Sequence, residues 1–128
     1  MVNKRAAQFK VSLKQAIGYY LQFTKPMHKL TDKKITLLTE ILYLYAKERP
    51  NFKREKDTWK IVFDAENRHI IRTKLNMGKQ VFENYLHELR KAGVIVNNSV
   101  TPSFNPAIAP ECKEYELIFK FNIIGDAE

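Results

Sequence analysis

The sequence predicts an α+β domain, a bundle of helices followed by a two-stranded ribbon toward the carboxyl terminus. Three observations lead there. Apolar residues recur at helical spacing in successive stretches up to Leu89. Gly93 then closes the last of these and is followed by the β-branched run Val94, Ile95 and Val96. Residues 115–124 alternate, with Tyr115, Leu117, Phe119, Phe121 and Ile123 on one side, as a strand packed on helices does.

The chain has 128 residues, of which 45% are hydrophobic and 28% charged. At roughly 100 to 200 residues per domain this is one folded domain over 1–128 rather than two. Residues 1–11 read as a basic amino-terminal arm and residues 97–113 as a long loop within the ribbon. The net charge is +8, and it is uneven. Residues 1–91 hold 20 Lys and Arg against 9 Asp and Glu, whereas residues 92–128 hold 2 against 5. A polyanionic partner is expected on the amino-terminal two thirds, nucleic acid before a membrane surface.

The first helix starts near Ser12, which has capping-box spacing to Gln15, and Leu13, Ala16, Ile17, Tyr20 and Leu21 form its apolar face until Pro26 ends the run. Phe9, Val11 and Leu13 also alternate, which fits a short strand before it. Thr31 or Asp32 caps the second helix, with two adjacent apolar rows: Ile35, Leu38, Leu42 and Tyr45, and Leu37, Ile41 and Leu44. Such a helix is central to the core or shared with a second subunit. The basic segment 51–58 reads as an exposed connection ahead of Trp59, Ile61, Val62 and Phe63. Asp64 caps a third helix with Ile70, Ile71 and Leu75 inward. After Asn76, Met77 and Gly78 comes a fourth, with Val81, Phe82, Tyr85, Leu86 and Leu89 inward. Pro102, Pro106 and Pro110 keep the following segment out of regular helix.

Helix, tight turn, helix, glycine and strand over residues 70–95, with residues 115–124 as the returning strand, resemble the winged helix-turn-helix DNA-binding domain superfamily. That resemblance implies a double-stranded DNA partner, with the helix over residues 78–92 in the major groove. Its outward residues are Lys79, Gln80, Glu83, Asn84, His87, Glu88 and Lys91, with Arg90 at the margin. Gln80 and Asn84 would read adenine edges and Lys79 guanine or phosphate, while Arg68, Arg72 and Lys74 would hold the backbone. His87 and Lys91 complete the expected DNA-binding set. Two features depart from this pattern. The wing loop carries no Lys or Arg between Asn97 and Cys112, and Glu83 and Glu88 oppose phosphates.

Catalytic and metal motifs fail at specific positions. His87 and Glu88 begin a zinc-helix motif whose second histidine would fall at Lys91. Gly78 and Lys79 would need glycine at Thr73 and Ser or Thr at Gln80 to form a phosphate loop. Cys112 is the single cysteine, so neither an internal disulfide nor a thiolate cluster is expected. No apolar run reaches the ~20 residues of a membrane span, and the first residues lack the apolar stretch of a secretory signal. The expectation is therefore a non-enzymatic, cofactor-free protein of the cytoplasm, or of a virion if phage-encoded. It would act in transcription or replication regulation. The alternative is a non-catalytic interaction or structural component, for example of a bacteriophage particle. In either case residues 31–46 and 97–112 are the expected surfaces for a homodimer or assembly partner.

Overall fold

The computed structural model describes residues 1–126. Among these the helices α1 (Leu13–Phe23), α2 (Lys25–His28), α3 (Asp32–Glu48), α4 (Glu55–Val62), α5 (Ala65–Lys74) and α6 (Lys79–Lys91) precede one antiparallel pair, β1 (Ile95–Val96) and β2 (Ser99–Val100). The fold is thus mainly helical with a small sheet, an α+β architecture.

Ser12 starts α1 with a reciprocal cap. Its hydroxyl accepts from the Gln15 amide at 3.2 Å, and its own amide donates to Gln15 Oε1 at 2.9 Å. Ile17 and Leu21 bury where α1 packs on α3. The alternation at Phe9, Val11 and Leu13 makes no strand. Residues 1–11 are exposed, and the Phe9 ring lies 5.8 Å from Tyr19 and 6.1 Å from Phe23. Nor does Pro26 itself end α1: the helix stops at Phe23, and Pro26 sits in the first turn of α2, where a missing N–H costs nothing. His28 then joins two segments, with Nδ1 accepting from the Leu30 amide at 3.0 Å and Nε2 donating to the Leu21 carbonyl at 2.8 Å.

Thr31 caps α3 through its hydroxyl, which accepts from the Lys34 amide at 3.4 Å. Leu37, Leu38, Ile41 and Leu42 are at most 1% exposed, because α1, α4 and α5 all pack on this helix. Both apolar rows are consumed within one protomer, so the assembly surface expected over 31–46 is largely interior.

The basic connection expected over 51–58 is instead a 3-10 turn, Arg49–Asn51, followed by α4. Lys56 and Lys60 face solvent and mask the pattern, but Thr58, Trp59 and Val62 share a buried face. The Trp59 ring stacks on Tyr45 at 4.0 Å and on Phe63 at 5.8 Å. Both the Tyr45 hydroxyl (3.1 Å) and Trp59 Nε1 (3.3 Å) donate to Glu55 Oε1.

Beyond α6 the structure differs most from expectation. The chain reverses at once: Asn97 and Asn98 take φ of 51° and 58°, the turn type whose twist matches a two-residue hairpin, and β2 pairs Val100 with Ile95 and Ser99 with Val96. Residues 115–124 therefore do not return to the ribbon and do not pack their aromatic face on the helices. They form no β bridge, and Phe121 is 86% exposed. Pairing with β1 is local at Ser99 and Val100, whereas a strand at 115 would have to close a long loop first. The proline-bearing segment, expected as a surface for a homodimer or assembly partner, folds on its own protomer, with Pro106 and Ile108 buried and Ser103 O accepting from the Tyr20 hydroxyl at 3.0 Å.

Candidate nucleic-acid interface

Asp64 opens α5 by accepting from the Asn67 amide at 2.7 Å. The turn into α6 closes by two backbone bonds, Asn76 N to Thr73 O at 3.0 Å and Met77 N to Arg72 O at 2.8 Å. Asn76 adopts φ 56°, the left-handed residue that this cap requires. The same pair of bonds ends α6, where Gly93 (φ 79°) and Val94 reach back to Arg90 and Leu89. Phe82, Leu86 and Leu89 hold α6 on the core with Ile71 of α5. Ile70 and Val81, expected to be inward, are 49% and 46% exposed, because each lies one residue from the buried position on its helix.

Inward seating of Phe82, Leu86 and Leu89 leaves Lys79, Gln80, Asn84, His87, Arg90 and Lys91 exposed. Gln80 Nε2 donates to Asn84 Oδ1 at 2.9 Å across one helical turn. Gln80 Oε1 and Asn84 Nδ2 remain outward as acceptor and donor. Gly78 provides no side-chain cap, so the first amides of α6 stay open to an anion.

The other expected cations are engaged within the protein. Arg68 on α5 meets Glu83 on α6 at 3.4 Å, and its buried Nε has no partner among the described residues. Arg72 bonds His69 Nδ1 at 2.9 Å. Lys74 lies 3.5 Å from Glu40, a buried carboxylate of α3 that Lys14 approaches to 2.8 Å. That hydrogen bond to Glu40 holds the Lys14 ammonium above its ordinary value despite the opposing effect of burial. Glu88 pairs with Lys34 of α3 at 3.0 Å. Both acidic residues of the outward face, Glu83 and Glu88, are therefore neutralised from neighbouring helices.

Two cations that the motif did not include lie beside the hairpin. Lys56 and Lys60 of α4, with Glu55 and Trp59, line an open cleft of about 370 Å³ against Asn97, Asn98 and Ser99 at the hairpin tip. The positive run from Lys53 to Lys60 is the sequence signal for them.

No protein-family model matches this chain, and no curated protein or solved structure is similar to it at a significant level. Among the described residues, no helix is long and apolar enough to cross a membrane.

Proposed function

We propose that this chain binds double-stranded DNA as a winged-helix protein and acts without cofactor or catalysis in transcription or replication control. In this reading α5 supports α6, α6 enters the major groove, and β1 and β2 are the wing. The observation that carries it is the outward row on α6, in which Lys79, Gln80, Asn84, His87 and Lys91 are all exposed. Gln80 and Asn84 together present an acceptor and a donor, the complement of adenine N6 and N7. Lys79 reaches guanine or phosphate, and Lys91 and His87 lie against the backbone. Pairing of Glu83 and Glu88 reduces their repulsion of phosphates. Lys56 and Lys60 supply beside the wing tip the charge that Asn97 and Asn98 lack.

The test is a salt-titrated anisotropy measurement with random duplex, single-stranded DNA and RNA. Lys79→Ala combined with Lys91→Ala is expected to weaken duplex binding and lower the salt slope by about two, with thermal stability within about 0.5 kcal/mol of the parent. Unchanged binding would assign the wrong face.

A second reading, a structural or interaction component such as one from a bacteriophage particle, draws on one observation: Phe9, Tyr19 and Phe23 form a solvent-exposed aromatic cluster. A Phe23→Ser variant that loses assembly and keeps duplex binding would favour it.

A further inference from the structure

Residues 115–124 are the most apolar stretch left outside the core. Ile118 is 80% exposed, Ile123 89% and Ile124 83%. Among the described residues, no backbone–backbone hydrogen bond joins residues 113–126 to the rest of the chain, and between 113 and 124 no residue has a positive φ. A segment of this composition with unpaired amides is a template for another strand. Its sequence says which strand. We propose that residues 115–121 pair antiparallel with the same residues of a second copy, about a two-fold axis through Ile118, so that the protein is a dimer.

The register follows from self-complementarity. Centred on Ile118, Glu116 of each copy lies opposite Lys120 of the other, Leu117 opposite Phe119, and Tyr115 opposite Phe121. Within residues 115–121 every apolar residue of the odd-numbered face meets an apolar residue, and each charge meets its opposite. A shift of the axis to Phe119 places Lys120 opposite Ile118, and a shift to Leu117 places Glu116 opposite Ile118. Parallel pairing in register sets Glu116 against Glu116 and Lys120 against Lys120. The alternatives each leave a charge against an apolar residue or a like charge. An isologous contact of this kind closes at two copies at the level of the strand pair.

A two-stranded ribbon alone is marginal in water and needs a further apolar layer. Tyr115 at the start of the segment is partly covered, while the rest of the odd-numbered face is largely open. Burial pushes the Tyr115 phenol up, and neighbouring Tyr20 of α1 adds to the shift. Tyr19, next to Tyr20, forms the exposed aromatic cluster with Phe23 and Phe9. That cluster is the apolar layer which the odd-numbered face of the ribbon would cover in the dimer.

The test uses the full chain without DNA, so its outcome is separate from that of the groove reading. Sedimentation of the parent should show a concentration-dependent dimer. Glu116→Lys and Lys120→Glu should each raise its dissociation constant roughly tenfold, by setting like charges opposite one another twice. The combined swap should restore it to within about threefold. Both positions are outside the core, so unchanged thermal melting in each variant shows that folding is intact. In a Cys112→Ser background, Ile118→Cys should cross-link to a dimer under oxidised glutathione, whereas Ile124→Cys, placed at opposite ends of the ribbon, should not. A monomer at all concentrations overturns the proposal. So does a dimer indifferent to the single charge reversals, or one that cross-links as well through position 124 as through 118.

Discussion

Glu88 on α6 lies 3.0 Å from Lys34 on α3, so a carboxylate on the outward face of α6 is neutralised by the helix at the centre of the core. Removing Lys34 should therefore weaken duplex binding in two ways: a cation is lost, and Glu88 is left to repel phosphate. Lys34→Met is expected to cost more affinity than Lys29→Met, and adding Glu88→Gln should recover part of it. The coupling in that cycle should be about 0.5 kcal/mol, as for other partly exposed pairs. Strict additivity would mean that Glu88 does not face the duplex.

The turn between α5 and α6 depends on the left-handed backbone of Asn76. A β-branched side chain resists that conformation, so Asn76→Val should destabilise the fold by about 1–2 kcal/mol, while Asn76→Gly should be neutral or slightly stabilising. Urea unfolding of the two variants separates this backbone effect from loss of the amide side chain, which both share.

His28 satisfies the Leu30 amide and the Leu21 carbonyl with one neutral ring. His28→Ala leaves both groups without that partner and is expected to lower stability by about 1–3 kcal/mol. Duplex binding measured well below the melting temperature should stay at the parent value, since none of these atoms belongs to the outward face of α6.

Alkaline pH should act on two groups in the same direction. The hydrogen bond from Lys14 to Glu40 raises the lysine, and burial, reinforced by Glu55, raises the Tyr45 phenol. Each then holds its proton to higher pH folded than unfolded. The associated stability is complete below the ordinary values of 10.5 and 10.0 and is lost as pH rises through the higher folded values. Tm should fall as pH rises above about 10 in the parent and fall less in a Lys14→Met, Tyr45→Phe variant. Equal slopes in the two proteins would show that other groups dominate.

The readable parts of this chain are those set by near neighbours. Ser12 with Gln15, Thr31 with Lys34, Asp64 with Asn67 and Gly93 after α6 all form the caps that their spacing predicts. The outward set on α6 follows from the helical period once Phe82, Leu86 and Leu89 are recognised as inward. Failures have equally local causes. The eight residues of α4 carry exposed lysines that read as a loop. The two-residue strands β1 and β2 are too short to show a period, so the alternating residues 115–124 are the more visible candidates for the returning strand.

Sequence alone determined where α1, α3, α5 and α6 begin, most of their apolar positions, and where positive charge accumulates, because all three depend on residues within about one turn of one another. Only the tertiary structure decided which charges remain available. Lys74 is drawn to Glu40, Arg68 to Glu83 and Glu88 to Lys34 by contacts between residues far apart along the chain. Charge pairing falls off with distance in space, and packing α3 against α5 and α6 sets those distances.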